Sequence, residues 1–292
     1  MAIFLKAYKG YEGPLSPSFN RTFVIFRYAL ADVMKTRFFT AFFVLSLLLP
    51  LGLMCFLYFY HNIELLSQLH LSQYEMPVID GSFFAVFVQQ PQNALLFFMI
   101  LVLGPTMISP DLRNNAMPLY LSRPITASTY ILGKGLVLLT LGSIISWLPT
   151  ILLFFVQSYL AGDGWMSQHW YIPFASMMTC LLWITSLSLV AFTVSAFVKW
   201  KALARGMFFG VLFISSLFGK VIENIFGGNI GDLINIESGL TVLISAFYRT
   251  TSELLGSIPD METSHAFMQF VVIGIIALLI LMHRIKSFQR VS

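Results

Sequence analysis

Ionisable side chains are almost absent from the long apolar segments of this sequence. Lys220 and Glu223 are the notable pair, near one end of the apolar run at 206–226. They lie three residues apart, so on a helix both side chains face the same way and can form an ion pair. Such a pair could act as an outer gate, or it could be two charged residues at a membrane interface. The sequence leaves both interpretations open.

Residue types that build enzyme and metal sites occur here without their characteristic spacing. The five histidines form no His-x-x-x-His pattern, and Cys55 and Cys180 stand singly in apolar runs. The sequence has no Gly-x-Ser-x-Gly nucleophile motif and no Gly-x-x-x-x-Gly-Lys phosphate-binding loop. It therefore predicts no catalytic residue, no metal site and no cofactor bound by this chain.

The segment 109–134, between two apolar runs, has a more distinctive pattern. Ser109 and Pro110 are typical of a helix start, Asp111 suits the first turn, and Pro118 should end the helix about two turns later. Residues 119–121 follow as an apolar patch in a loop that should be wet. A short rigid helix beside such a patch favours a docking surface, although the patch could also fold back onto lipid.

The composition sets the class of protein that must position these residues. Of the 292 residues, 58% are hydrophobic and 10% are charged, and the mean hydropathy is +0.82. A soluble domain is nearer a quarter charged. We therefore predict an all-α integral membrane protein. The basic residues are divided among loops and form no stripe or patch, so nucleic acid is not an expected partner.

Six apolar segments qualify as membrane spans. A helix needs about 20 apolar residues to cross a hydrocarbon core of about 30 Å. The second segment is short but can be extended backwards, and no connection is long enough to bury a core of its own. We predict one membrane domain over residues 1–292, with an arm at 1–37 and spans at 38–60, 94–109, 130–160, 173–198, 206–226 and 266–282.

The distribution of charge predicts the orientation. All Lys and Arg residues except Lys220 and Arg249 lie in four segments, whereas most acidic residues lie between them. Cytoplasmic loops of membrane proteins are enriched in Lys and Arg, so these segments should face the cytoplasm. An even number of spans then places both termini there. The four segments are residues 1–37, 110–135, 199–205 and the tail after 283.

Two segments outside the spans show helical periodicity. The arm fits an amphipathic helix lying at the inner membrane surface, and its alternative is one long helix over residues 20–60. In the outer segment 227–265, a helix before the sixth span could re-enter the membrane or lie on its surface. The apolar positions are Phe19, Phe23, Phe26, Leu30, Val33 and Met34 in the arm, and Leu240, Leu243, Ile244 and Phe247 in the outer helix.

The loop and the entry of the third span resemble a known family. The residues that carry the resemblance are Asp111, then Leu121-Ser122-Arg123-Pro124, then Tyr130-Ile131-Leu132-Gly133-Lys134. With the six spans and the arm, they are similar to the transmembrane permease subunit of type-2 ABC exporters. The chain departs from the family pattern at Asn115-Ala116, where the family usually has Gly-Thr.

The resemblance implies a coupling helix within residues 110–124 that contacts a separate ABC ATPase. Two ATPase copies, which bind ATP and Mg²⁺, would sit beneath a dimer of permease subunits, and the first and fifth spans would line the seam of that homo- or heterodimer. Gly133 and Lys134 would form the span-entry motif. The ATPase-coupling residues would be Asp111, Leu112, Arg113, Asn114, Asn115, Leu119, Leu121, Arg123 and Pro124.

The expected function is therefore that of a non-enzymatic transport subunit in the bacterial inner (cell) membrane, working as part of an ATP-driven exporter. The chain has no nucleotide loop of its own, so a partner must supply the work. One alternative is a non-transporting membrane anchor for an ATPase complex, and a less favoured one is an intramembrane enzyme. The aromatic, cation-poor spans favour an amphipathic or lipid-like cargo, or a hydrophobic peptide, over a polyanion.

Overall fold

The computed structural model describes residues 17–62, 64, 76–121, 125–162, 164–226, 230–251, 255 and 258–289, and within these ranges the chain is helical with no strand. Residues Phe84–Gln89 form a π-helical stretch. The helices are α1 (Ser18–Met34), α2 (Arg37–His61), α3 (Gly81–Arg113), α4 (Ala116–Leu121), α5 (Ala127–Ile145), α6 (Trp147–Ala161), α7 (Trp165–His169), α8 (Tyr171–Ser195), α9 (Lys201–Phe226), α10 (Ile230–Ile234), α11 (Ile236–Tyr248) and α12 (Thr263–Gln289).

Among the described residues, six helical segments are long and apolar enough to cross a membrane, as many as predicted. They are α2, α3, α5 with α6, α7 with α8, α9, and α12. The second segment begins at Gly81 rather than near residue 94. Amide side chains at 89–93 lower its apparent apolarity, but those at 89, 92 and 93 are buried inside the bundle. The side of the membrane on which each terminus lies stays a prediction.

Three spans form the centre of the bundle. More than half of the apolar stretch is buried in the second, third and fourth spans, compared with less than a third in α2, α9 and α12. Glycines bring the central helices close together: a Cβ atom at Gly104 would lie 2.7 Å from Cβ of Ala191, and one at Gly142 would lie 2.8 Å from Ile184. Small residues allow this packing where lipid tails are as apolar as leucine.

Helices α1 and α2 are separate, because the chain turns at Lys35 and Thr36. The Thr36 hydroxyl donates to the carbonyl of Val33 at 2.7 Å and accepts from the backbone N–H of Phe39 at 3.4 Å, so it caps α2. The alternative of one helix over residues 20–60 is therefore wrong. A distinct arm helix exists, and its location at the membrane surface stays a prediction.

A glycine sets how closely α1 packs against the beginning of α5. Ile25, Ala29 and Val33 are buried, one per helical turn of α1. A Cβ atom at the buried Gly133 of α5 would lie 2.8 Å from Cβ of Ile25 and 3.1 Å from the carbonyl oxygen of Thr22. Gly133 therefore holds the arm helix against the bundle. The predicted apolar positions that stay exposed are Phe19, Phe23 and Met34.

The helix expected from Pro110 to about Pro118 is wrong in its boundaries. Helix α3 continues through Pro110 to Arg113, and the chain turns at Asn115, whose φ is 50°. Helix α4 follows, with Pro118 in its first turn, where a missing N–H costs little. Ser109 is no cap, because its hydroxyl donates to the carbonyl of Ser195 in α8 at 3.4 Å. Packing against α8 keeps α3 continuous.

The predicted outer helix before the sixth span is present as α11. Leu240, Leu243 and Ile244 are buried against the bundle, which confirms the face predicted from their spacing. Asn235 caps the helix by accepting from the N–H of Glu237 at 3.1 Å. Whether this helix re-enters the membrane or lies on its surface stays a prediction.

We predict that Gly133→Ala loosens the arm helix. The new methyl group must displace Ile25, and such overpacking costs about 1–3 kcal/mol. In detergent, the variant should unfold at lower temperature, and trypsin should cleave faster after Arg27 in α1. Gly135→Ala is the matched control, because its Cβ would meet only Phe192, at 3.8 Å. Equal behaviour of the two variants would contradict this role of Gly133.

Candidate functional site

A charged junction lies where α3, α4 and α5 meet. Nζ of Lys134 is 3.1 Å from Oδ2 of Asp111, and the side chains of Lys134 and Asp111 are 12% and 17% exposed. The Tyr130 hydroxyl donates to the same carboxylate oxygen at 2.6 Å. Asp111 and Lys134, both among the described residues, therefore form an ion pair. We call Asp111, Tyr130 and Lys134 the charged junction.

Local structure places these three side chains together. Tyr130 and Lys134 are one helical turn apart on α5, so they face the same way. Thr126 caps that helix by accepting from the N–H of Thr129 at 3.2 Å. Asp111 lies in the last turn of α3, where the helix dipole disfavours a negative charge. The lysine and the tyrosine compensate for that, and they tie two central spans to each other.

Helix α4 rests on the charged junction. The rings of Tyr120 and Tyr130 have their centroids 5.5 Å apart, and Met117 is fully buried. Burial raises the pKa of the Tyr120 hydroxyl, and the carboxylates of Asp111 and Asp32 raise it further. Tyr120 is therefore uncharged at physiological pH and packs as an aromatic ring. The short helix is consequently held firmly against the ends of α3 and α5.

The predicted coupling residues divide into three groups. Asp111 and Leu112 point into the protein, one in the charged junction and one in the core, so neither surface is open to a partner in this conformation. Arg123 and Pro124 lie outside the described residues, as does the side chain of Leu121, at which α4 ends. Those that are exposed are Arg113, Asn114, Asn115 and Leu119. We call these four residues the exposed turn.

Lys220 and Glu223 do not form the ion pair that their spacing allows. Both side chains are exposed near one end of α9, and the described residues contain no bridge between them within 4.0 Å. Exposed pairs gain little free energy, so a long lysine side chain has little reason to stay in one position. In the same described ranges, no three His, Cys, Asp or Glu side chains come together as a metal site would require.

A cluster of buried amides in α3 was not predicted. Nε2 of Gln89 donates to Oδ1 of Asn93 at 2.8 Å, and the Tyr248 hydroxyl donates to Oε1 of Gln89 at 2.7 Å. The Thr150 hydroxyl donates to Oε1 of Gln92 at 2.7 Å. The cluster begins where the π-helical stretch ends, and such stretches are frequent at functional sites. The sequence could have indicated this cluster, because the amides at 89–93 lead directly into an apolar span.

Beside this cluster is a cavity of about 610 Å³. Four elements line it: α3, α8, α9 and the beginning of α11. Nδ2 of Asn93 is buried there without a hydrogen-bond partner. Residues that give the cavity its chemical character are Asn93, Phe97, Trp183, Phe213, Ser216 and Glu237.

We predict that Asp111→Asn lowers the free energy of unfolding by about 3 kcal/mol, because Lys134 then stays buried without its counterion. Chemical unfolding in detergent measures this change. Asp32→Asn, which removes an exposed carboxylate on α1, should cost less than about 0.5 kcal/mol.

A double-mutant cycle with Lys134→Met tests the pair itself. The double variant should be more stable than the sum of the two single effects implies, since it leaves no buried lysine without a partner. Strictly additive effects would show that Asp111 and Lys134 do not stabilise each other.

Comparison with known proteins adds no relative for this chain. No family model matches its sequence, and no curated protein matches it. The functional argument therefore depends on the charged junction, the exposed turn and the cavity, together with the family resemblance seen in the sequence.

Proposed function

We propose that this chain is the membrane-spanning subunit of an ATP-driven ABC exporter. Two such subunits would line the cargo pathway, and the exposed turn with α4 would receive the movement of a separate ATPase. The observation that carries the proposal is the exposed turn itself. Polar and apolar side chains are exposed at the end of α3, in the turn and on α4, beside an ion pair that joins the two central spans α3 and α5.

Firm attachment is what a coupling element requires. A force on the exposed turn acts on α3 directly and on α5 through the charged junction, since Asp111 joins Lys134 and Tyr130. A flexible loop would absorb the same displacement. In this proposal Asp111 positions α3 against α5, and Arg113 and Leu119 contact the ATPase. This assignment differs from that expected from the family resemblance, which gave Asp111 a contact of its own.

The distribution of charge agrees with an ATPase on the cytoplasmic side. The exposed turn, Lys201 and Arg284 lie in or beside basic segments, which the positive-inside rule places in the cytoplasm. An ATPase that uses cellular ATP must bind there.

A non-transporting anchor for an ATPase is the second candidate. It would also need the exposed turn, but it has no use for a cavity between the spans. The cavity of about 610 Å³ therefore favours the transporter. An anchor would bind the ATPase without any change in turnover when cargo is added.

Charge reversal at Arg113 tests the proposal. Cross-linking in native membranes first identifies a partner with its own Gly-x-x-x-x-Gly-Lys loop. Arg113→Glu should then weaken binding of that purified ATPase to this chain in nanodiscs by about 30-fold, the effect of losing an interface contact worth about 2 kcal/mol. ATP hydrolysis by the complex should fall with binding.

Lys201→Glu is the matched control, since it reverses one exposed basic charge at the beginning of α9. It should bind the ATPase as the unaltered chain does. Recovery of no such ATPase would contradict the proposed function. Equal loss of binding in both variants would show that the exposed turn has no special role.

A further inference from the structure

The cavity beside the buried amides has the size and lining of a ligand site. Its volume of about 610 Å³ lies within the range of about 300–1,000 Å³ that is typical of sites for small organic molecules. Four aromatic rings, those of Phe97, Trp183, Phe209 and Phe213, line it beside aliphatic side chains. An apolar molecular body would find contacts there from three helices, α3, α8 and α9.

Asn93, which lines the cavity, has a fixed and unsatisfied hydrogen-bond donor. Asn93 is only 6% exposed, and its Nδ2 has no partner. Its Oδ1 accepts from Gln89 at 2.8 Å, and its carbonyl oxygen accepts from Nε1 of Trp183 at 3.2 Å. The Asn93 amide is therefore held in one orientation, and Asn93 is one of the residues that line the cavity. A buried donor without a partner costs about 1–3 kcal/mol, and a ligand oxygen that reached Nδ2 would recover that free energy.

The charge of the cavity has one sign. Of the described residues that line it, Glu237 is the only ionisable one. Glu237 lies in the first turn of α11, where the helix dipole stabilises a carboxylate. Aromatic faces also attract cations. An anionic ligand would meet this carboxylate with no lysine or arginine to balance it.

We propose that the cavity binds an amphipathic organic cation that carries an acceptor oxygen. Its apolar body packs against the aromatic rings, its oxygen accepts from Nδ2 of Asn93, and its positive charge lies near Glu237. As a statement about binding, the inference stands on this chain alone. As a statement about cargo, it rests on the proposed function, and it narrows the expected amphipathic cargo to cationic molecules.

Two dyes with the same ring system and opposite charge test the inference. Rhodamine 6G is a cation and fluorescein ethyl ester is an anion at pH 8, and both carry an ethyl ester whose carbonyl can accept a hydrogen bond. Each is titrated against this chain alone, in phosphatidylcholine nanodiscs without any ATPase, and followed by fluorescence anisotropy. We expect saturable binding of rhodamine 6G and weaker binding of fluorescein ethyl ester.

Two variants locate the binding in the cavity. Ser216→Trp places an indole in the open space and should abolish saturable binding of rhodamine 6G. Glu237→Gln removes the exposed charge and should weaken binding by about two- to fivefold, the range for a solvent-accessible pair. The matched controls are Val221→Trp and Glu223→Gln, exposed positions of α9 outside the cavity, and they should bind as the unaltered chain does.

Equal affinity for the two dyes, or equal effects of cavity and control variants, would overturn the inference. These results are independent of the ATPase experiment. Loss of dye selectivity together with an intact effect of Arg113→Glu would leave the proposed function standing. Selective dye binding by a chain that recruits no ATPase would leave the site standing and remove its role in ATP-driven export.

Discussion

The constraint on which this structure depends is that a polar group in an apolar surrounding must find its partner within the protein. Hydroxyl groups along the spans meet it locally: Ser146 donates to the carbonyl of Gly142, and Thr179 to that of Ala175, both at 2.7 Å. Gln269 of α12 meets it at long range, because its Nε2 reaches the carbonyl oxygens of Asp232, Leu233 and Asn235 around the end of α10. Most polar residues of the bundle are thereby explained as structural.

Two places on α3 combine polar groups with a feature beyond packing. At the charged junction, Asp111 and Lys134 replace what could have been an apolar contact between two helices, and an ion pair of this burial stabilises little by itself. At the cavity, Asn93 leaves a donor unsatisfied. Helix α3 carries both, roughly 27 Å apart at about 1.5 Å per residue. Pro105 lies between them and removes one backbone hydrogen bond, so α3 can bend there.

The parts of the fold that could be predicted are those that depend on local properties of the chain. Length and apolarity determine a span, and the spacing of Leu240, Leu243 and Ile244 determines the buried face of α11. The start of the short helix could not be predicted, because Pro110 is locally a helix start. Only the burial of Leu112 and the contact of Ser109 with α8 keep α3 continuous there.

The candidate site shows the same division. Arg113 and Leu119 are exposed as a docking surface requires, but the sequence could not show that Asp111 pairs with Lys134, because a turn and a second helix separate them. The spacing of Lys220 and Glu223 allowed an ion pair, which the structure does not have. Exposed charges are screened so well that a separation of one helical turn does not ensure a pair. The amide cluster is visible in the sequence, because four of the five residues at 89–93 are Gln or Asn, directly before an apolar run.

Burial also differs between the helices that line the cavity. Helix α9 supplies Phe209, Leu212, Phe213 and Ser216 to the cavity, yet it is the least buried of the six spans. Only 17% of its apolar stretch is buried in the protein, and lipid tails replace apolar contacts at little cost. Helix α3, on the opposite wall, is fixed by the core and by the charged junction. A displacement of α9 relative to α3 would therefore change the volume of the cavity while the centre of the bundle stays intact.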